Sequence, residues 1–227
     1  NIESDVFLEG WSGIFIDQNE NLAYGVNVNI DGSINSVLDV AGDKGFGVYI
    51  NGNVKNKTNY PLVNIKKNSK ITSLGSGIYM AGYSKVVIDG AYIEGIDSAI
   101  AIKSGVLVIN DGTLYCTGAD NTPTDGYSNG VNPSGASLQI ESNSSYAGDI
   151  DITVTGGSLR SQNSNVIYEY LANTTDTKVT NINITGGNFL SSASKDVFNL
   201  SSSFKNTHDK FISGGRYSSD PYIYLKS

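Results

Sequence analysis

Between residues 78 and 112 the chain reads Ile78-Tyr79-Met80, then Val86-Val87-Ile88-Asp89-Gly90, then Ile100-Ala101-Ile102, then Val108-Ile109-Asn110-Asp111-Gly112. Each phrase carries period-two apolar alternation, the mark of a strand with one buried face. Ile78 to Ile100 and Gly90 to Gly112 both step by 22 residues, so two strand phrases recur together. The phrase that closes on Gly is found along most of the chain. Its closing glycines are Gly32, Gly52, Gly90, Gly112, Gly157, Gly187 and Gly215, at separations of 20, 38, 22, 45, 30 and 28. The longer gaps read as two units or as one unit with an inserted loop. A bulky residue stands two positions past the closing Gly at Tyr92, Leu114, Leu159, Phe189 and Tyr217.

A unit of this size, with two or three short strands, cannot bury its own apolar face, whereas stacked units can. Strands at ~4.8 Å spacing would place equivalent residues above one another, so Val, Ile and Leu form inward columns and Asp-Gly forms corners. The expected fold is therefore all-β: a right-handed parallel β-helix, or solenoid, of ~20–25-residue rungs. A β-sandwich also uses short strands and turns, and is the alternative. No stretch has sustained helical spacing. The expected organisation is a single domain over 1–227. Residues 1–25 form an N-terminal cap in which Phe7, Trp11, Phe15 and Tyr24 cover the first rung, residues 26–217 form the rungs, and 218–227 form the C-terminal end.

The last units, Thr185-Gly186-Gly187-Asn188-Phe189 and Ile212-Ser213-Gly214-Gly215-Arg216-Tyr217-Ser218-Ser219-Asp220-Pro221, resemble the closing units of right-handed parallel β-helix modules in surface proteins of gut Firmicutes. Tyr222-Ile223-Tyr224-Leu225 follows where such modules carry a Tyr-x-Tyr-Leu-like run. The resemblance implies a bacterial, secreted or cell-surface origin. It carries over no catalytic residue, because its motif is structural.

Composition agrees with a turn-rich β protein. There are 26 Gly and 25 Asn among 227 residues, and both types tolerate positive φ. Lys and Arg total 15 against 22 Asp and Glu, a net charge of −7, and only Arg160 and Arg216 are arginines. A nucleic-acid partner, which needs a basic face, is not expected. No apolar run approaches ~18 residues, so no membrane span is expected. The chain opens at Asn1 without a basic start and apolar stretch, so a secretory leader is expected to be gone already. The single Cys116 excludes an internal disulfide framework.

Solenoids place function on inserted loops or on one exposed stripe. The largest break in the rhythm is Thr117–Gly135, which contains Asp120, Asp125 and Tyr127. It reads as a ligand or calcium loop, or as solvated chain. The outward position of the first strand in each unit holds Tyr49, Tyr79, Ala101 and Tyr168. Stacked tyrosines would give a platform for sugar rings, since each has an apolar face and a hydrogen-bonding rim. They would equally serve to stabilise a sheet face.

Chemistry is less marked. Asp89 and Asp111 stack, but at corners, where Asp forms turns. Asp149 and Asp151 share a strand face and are the candidate cation ligands. His208 has no Ser or Cys nucleophile beside it. The expected function is a non-catalytic extracellular adhesion or glycan-binding module. Its partner is a polysaccharide, a host or cell-surface glycan, or a protein; no cofactor is expected, calcium being the one candidate. The alternatives are a polysaccharide lyase or glycoside hydrolase on the same fold, and a structural spacer.

Overall fold

The structure is a computed structural model that describes residues 1–17, 25–52, 58–124 and 131–226. Successive stretches of chain add strands to two sheets in turn. The first stretch supplies β1 (Phe7–Gly10) and β2 (Ile14–Asp17); the second supplies β3 (Asn27–Ile30), β4 (Ser33–Ser36) and β5 (Val48–Asn51). Next come β6 (Leu62–Lys66), β7 (Lys70–Ser73) and β8 (Ser76–Met80), then the long β9 (Lys85–Gly95) with β10 (Ser98–Ile102). The long β11 (Gly105–Cys116) is followed by β12 (Leu138–Ser142), and β13 (Ile150–Val154) and β14 (Ser158–Ser161) by β15 (Ile167–Leu171). The last stretches supply β16 (Val179–Ile184), β17 (Asn188–Leu190) and β18 (Phe198–Asn199), then a short helix α1 (Ser202–Thr207) and β19 (Arg216–Tyr217).

The last strand of each of the first seven stretches joins a seven-stranded sheet, ordered β18-β15-β12-β10-β8-β5-β2. The others build a twelve-stranded sheet whose main path is β1-β4-β7-β9-β11-β14-β17-β19. Every ladder between these strands is parallel. The protein is thus all-β with two long parallel sheets, compatible with a β-helix. Among the described residues no two strands pair antiparallel, as those of an immunoglobulin-like β-sandwich do.

The core lies between the sheets and is built of columns. Ile14, Val48, Ile78, Ile100, Leu138, Ile167 and Phe198 stand in register along the smaller sheet. From Val48 to Ile167 this column has no exposed surface. Burying each such side chain is worth ~1.5–3 kcal/mol, so repetition supplies the stability that a single unit lacks.

The 22-residue step holds in the smaller sheet, where Ile78 pairs with Ile100. In the larger sheet the step is 21: Ile88 pairs with Ile109 and Gly112 with Ala91, around an irregularity at Asp89 and Asp111. One residue of slip exchanges the faces of a strand. The inward partner of Leu114 is therefore Ile93, and the column continues through Leu159, Phe189 and Tyr217. Tyr92, grouped with that column in the sequence, instead pairs with Thr113 on the outer side.

The two ends of the stack differ. Residues 7–17, expected to cap the first rung, form β1 and β2 and extend both sheets. Tyr24 of the expected cap lies outside the described residues. At the other end Phe198, Phe211 and Tyr224 pack in pairs 5.0–5.7 Å between ring centroids, and Phe204 lies 5.7 Å from Phe211. Ser201 caps α1 by accepting from the Phe204 N–H at 3.0 Å.

The carboxylate of Glu169 takes an inward place beside Ile140. It is buried, and accepts from Ser142 Oγ at 3.0 Å and the Ser201 N–H at 3.2 Å, and also from the Ser201 and Thr177 hydroxyls. A buried charge is tolerable where it is hydrogen-bonded in this way. Glu169 thereby ties β15 to the start of α1.

Cys116 has no exposed surface, and its Sγ donates to the Ile96 carbonyl at 3.3 Å. Burial pushes the thiol pKa up to about 12. The thiolate is the reactive form. Native protein is therefore expected to resist a thiol reagent such as Ellman's at pH 8, and unfolded protein to release one equivalent at once. Fast labelling of the native chain would contradict this packing.

Candidate functional site

The outward column of the smaller sheet is in the register the sequence suggested. It runs Phe15, Tyr49, Tyr79, Ala101, Gln139, Tyr168, Asn199. Its exposure is uneven. Phe15 is 53% exposed and Tyr49 half-buried, but Tyr79, Ala101 and Gln139 have no exposed surface. The expectation that Tyr79 lies on an open platform is therefore corrected: it is the floor beneath a cover.

The cover comes from two insertions. Val131 and Tyr146 pack against a cluster of Phe46, Tyr79, Ala81 and Ala101. Gln139 donates to the Asn132 carbonyl at 2.7 Å and accepts from the Ser134 hydroxyl. The described part of the Thr117–Gly135 loop thus fills the stripe's middle rather than flanking it. Burial, the neighbouring Tyr146 and Glu141 push the Tyr79 hydroxyl pKa well above its ordinary value.

Charge is hidden under the same cover. Lys103, just past β10, and Glu141 on β12 lie 3.2 Å apart with no exposed side-chain surface. The Lys103 ammonium sits 4.6 Å from the Tyr146 ring centroid and 5.5 Å from that of Tyr79. Burial raises the Glu141 pKa above the usual carboxylate range, against the pull of Lys103 and of the Asn132 N–H. Removing one partner of such a pair leaves a buried charge uncompensated.

The stripe stays open at its ends. At the β2 end Phe15 meets Tyr49 edge-on at 5.0 Å, and Tyr49 meets Phe46 at 5.1 Å and Tyr79 at 5.1 Å. Trp11, 39% exposed, extends the cluster through Phe46 at 6.5 Å, and its Nε1 donates to the Asp43 carbonyl at 3.1 Å. A polar edge runs alongside. The Tyr49 hydroxyl donates to Asn51 Oδ1 at 3.1 Å, and Asn51 Nδ2 donates to Asp17 Oδ1 at 3.0 Å. Burial, then Tyr146 and Asp17, raise the Tyr49 pKa, so its hydroxyl stays a donor. Rings beside an amide and a carboxylate suit a ligand with apolar faces and hydroxyl edges.

At the other end Tyr168 is half-buried near Asp120 and Lys195, which form an ion pair. Burial works against the Asp120 carboxylate, but Lys195 and the Ser164 hydroxyl, 2.8 Å away, outweigh it and hold the pKa below its usual value. Beside them lies a polar depression of about 310 Å³, lined by Ser191–Asp196 with Ser218 and Ser219. Asp125 and Tyr127 lie outside the described residues.

Asp151 accepts from Asn181 Nδ2 at 2.8 Å, while Asp149 is exposed at the start of β13. Among the described residues no three His, Cys, Asp or Glu side chains form a group able to hold a metal ion. The aspartates expected at corners instead lie within β9 and β11, at the irregularity between them, and are engaged locally. Asp89 accepts from Asn110 at 2.6 Å, and Asp111 from its own Gly112 N–H at 2.8 Å.

Trp11 and Phe15 belong to this face although the sequence assigned them to a cap. Aligning Ile14-Phe15-Ile16 with Val48-Tyr49-Ile50 would have placed Phe15 in the column. The Lys103–Glu141 pair was also missed, yet the same alignment, Ile102 with Ile140, sets those two residues side by side one step on. Among the described residues no helix is long and apolar enough to cross a membrane. No family model matches the chain, and neither a curated protein nor a solved structure is similar to it.

Proposed function

We propose that this chain is a right-handed parallel β-helix that acts as a non-catalytic glycan-binding or adhesion module of a secreted or cell-surface bacterial protein, with its binding face at the β2 end of the smaller sheet. One observation carries the reading. Phe15 on β2 and Trp11 in the bend before it are exposed aromatic side chains, backed by buried rings, with Asp17 and Asn51 along the edge. A free surface gains little from holding such rings in water, whereas a polysaccharide can stack on them and hydrogen-bond to the edge. The resemblance of the closing units to surface-protein modules supports the location, and the acidic balance favours neutral over anionic glycans.

The test is a binding screen of the full chain against neutral and acidic polysaccharides, with calcium and with chelator, scoring binding and product release together. Binding without cleavage is expected. Phe15→Ala and Trp11→Ala should each weaken it by about tenfold, ~1.4 kcal/mol, as expected for a central aromatic contact. Phe7→Ala, exposed on the other sheet, should leave it unchanged. Cleavage would replace this reading with an enzyme. Binding that survives loss of both rings would move the face elsewhere. Silence on every glycan would favour a spacer.

A further inference from the structure

Lys103, Asn132 and Glu141 meet under the loop that covers the stripe. Lys103 and Glu141 are fully buried, and Asn132 is 2% exposed. One carboxylate oxygen of Glu141, Oε2, lies 3.2 Å from Lys103 Nζ and 3.5 Å from Asn132 Nδ2. The other, Oε1, accepts the Asn132 backbone N–H at 2.9 Å. An amine and a carboxamide therefore share one buried carboxyl group, with the amine set against the Tyr79 and Tyr146 rings. We propose that this is a self-modification site, where Lys103 and Asn132 join through an intramolecular isopeptide bond with Glu141 as proton carrier.

The chemistry balances without a co-reactant. Glu141 takes a proton from the Lys103 ammonium, and the freed Nζ lone pair attacks Asn132 Cγ. The Nζ–Cγ bond forms and the Cγ–Nδ2 bond breaks. Nζ loses two protons in all: one completes ammonia at Nδ2 and the other leaves with it as ammonium, so Glu141 ends as it began. A carboxyl group cut off from water by burial takes up a proton more readily, which is what the first proton transfer requires. The raised Glu141 pKa agrees with that direction. The bond would tie the insertion ahead of β12 to the end of β10, across the outer face of the smaller sheet. It is independent of the glycan-binding reading, because neither Phe15 nor Trp11 takes part.

The experiment is intact-mass spectrometry of the full-length chain. The expected mass is about 17 Da below that of the sequence, one ammonia lost. A protease that cuts before aspartate should release the Lys103 peptide, 97–110, joined to the Asn132 peptide, 125–148. Asn132 precedes Pro133, which has no N–H, so cyclisation to an imide at Asn132 cannot mimic the loss. Lys103→Arg and Asn132→Ala should restore the sequence mass. Glu141→Gln should do so with both reactants still present, and circular dichroism would show that each variant keeps its strands. A wild-type chain at its sequence mass, or a loss that persists in Lys103→Arg or Asn132→Ala, would overturn the proposal. The wild-type measurement decides even if a variant fails to fold.

Discussion

Phe189→Ala is expected to lower stability by about 3–5 kcal/mol, the range for removing a large aromatic side chain from a packed core. Phe189 has no exposed surface. Its ring stacks on Tyr217 at 4.8 Å with 5° between the planes and lies 6.5 Å from Phe198. Truncation would open a void between the last in-register strands and the aromatic cluster that closes the C-terminal end. Little can collapse into it, since β17 is held by β14 on one side and β19 on the other. Tyr92→Ala should cost under about 1 kcal/mol, in line with substitutions at partly exposed positions. Tyr92 stands at the same offset from its glycine as Phe189 does, but on the outer side, where its hydroxyl donates to Glu94. Urea denaturation of the two variants reads the difference directly. Equal losses would mean that the 21-residue register of the larger sheet is wrong.

Gly112→Ala should be nearly as damaging, at about 3 kcal/mol or more, because strain and overlap act together. Gly112 has φ 124°, which L side chains rarely adopt, and a Cβ there would lie 2.5 Å from the Ala91 carbonyl oxygen. That oxygen belongs to the adjacent parallel strand and cannot withdraw without breaking the ladder. Gly42→Ala is the matched control. Its φ is 86°, yet a Cβ would meet nothing within 4 Å, so only the conformational term applies, ~1 kcal/mol. If both variants melted alike, close stacking of neighbouring strands would not be what the repeated glycine serves.

The candidate site was legible in part. The column of Tyr49, Tyr79 and Tyr168 could be read because the side-chain period of a strand is two, and a repeat aligns equivalent positions. Its exposure could not. Whether Tyr79 faces water depends on where Val131 and Tyr146 return, and those lie 52 and 67 residues further along. Phe15 was hidden for a different reason: β2 belongs to the first stretch, whose spacing to the next is lengthened by an intervening loop. Asp120, read as a ligand residue, is engaged by Lys195 and Ser164, which no local pattern links to it.

From the sequence alone came the strand content, the parallel stacking and the inward columns of the smaller sheet. Each depends on short-range alternation repeated at a near-constant spacing, and a repeat turns local information into global order. Tertiary structure alone decided three things: the one-residue slip between the sheets, the burial of the stripe's middle, and the arrival of Asn132 at the Lys103–Glu141 pair. A bulge at Asp89 and Asp111 shifts the faces without altering composition. The aperiodic insertions settle wherever buried polar groups find partners and apolar surface is covered. That choice rests on contacts between residues far apart in the chain, which no period encodes.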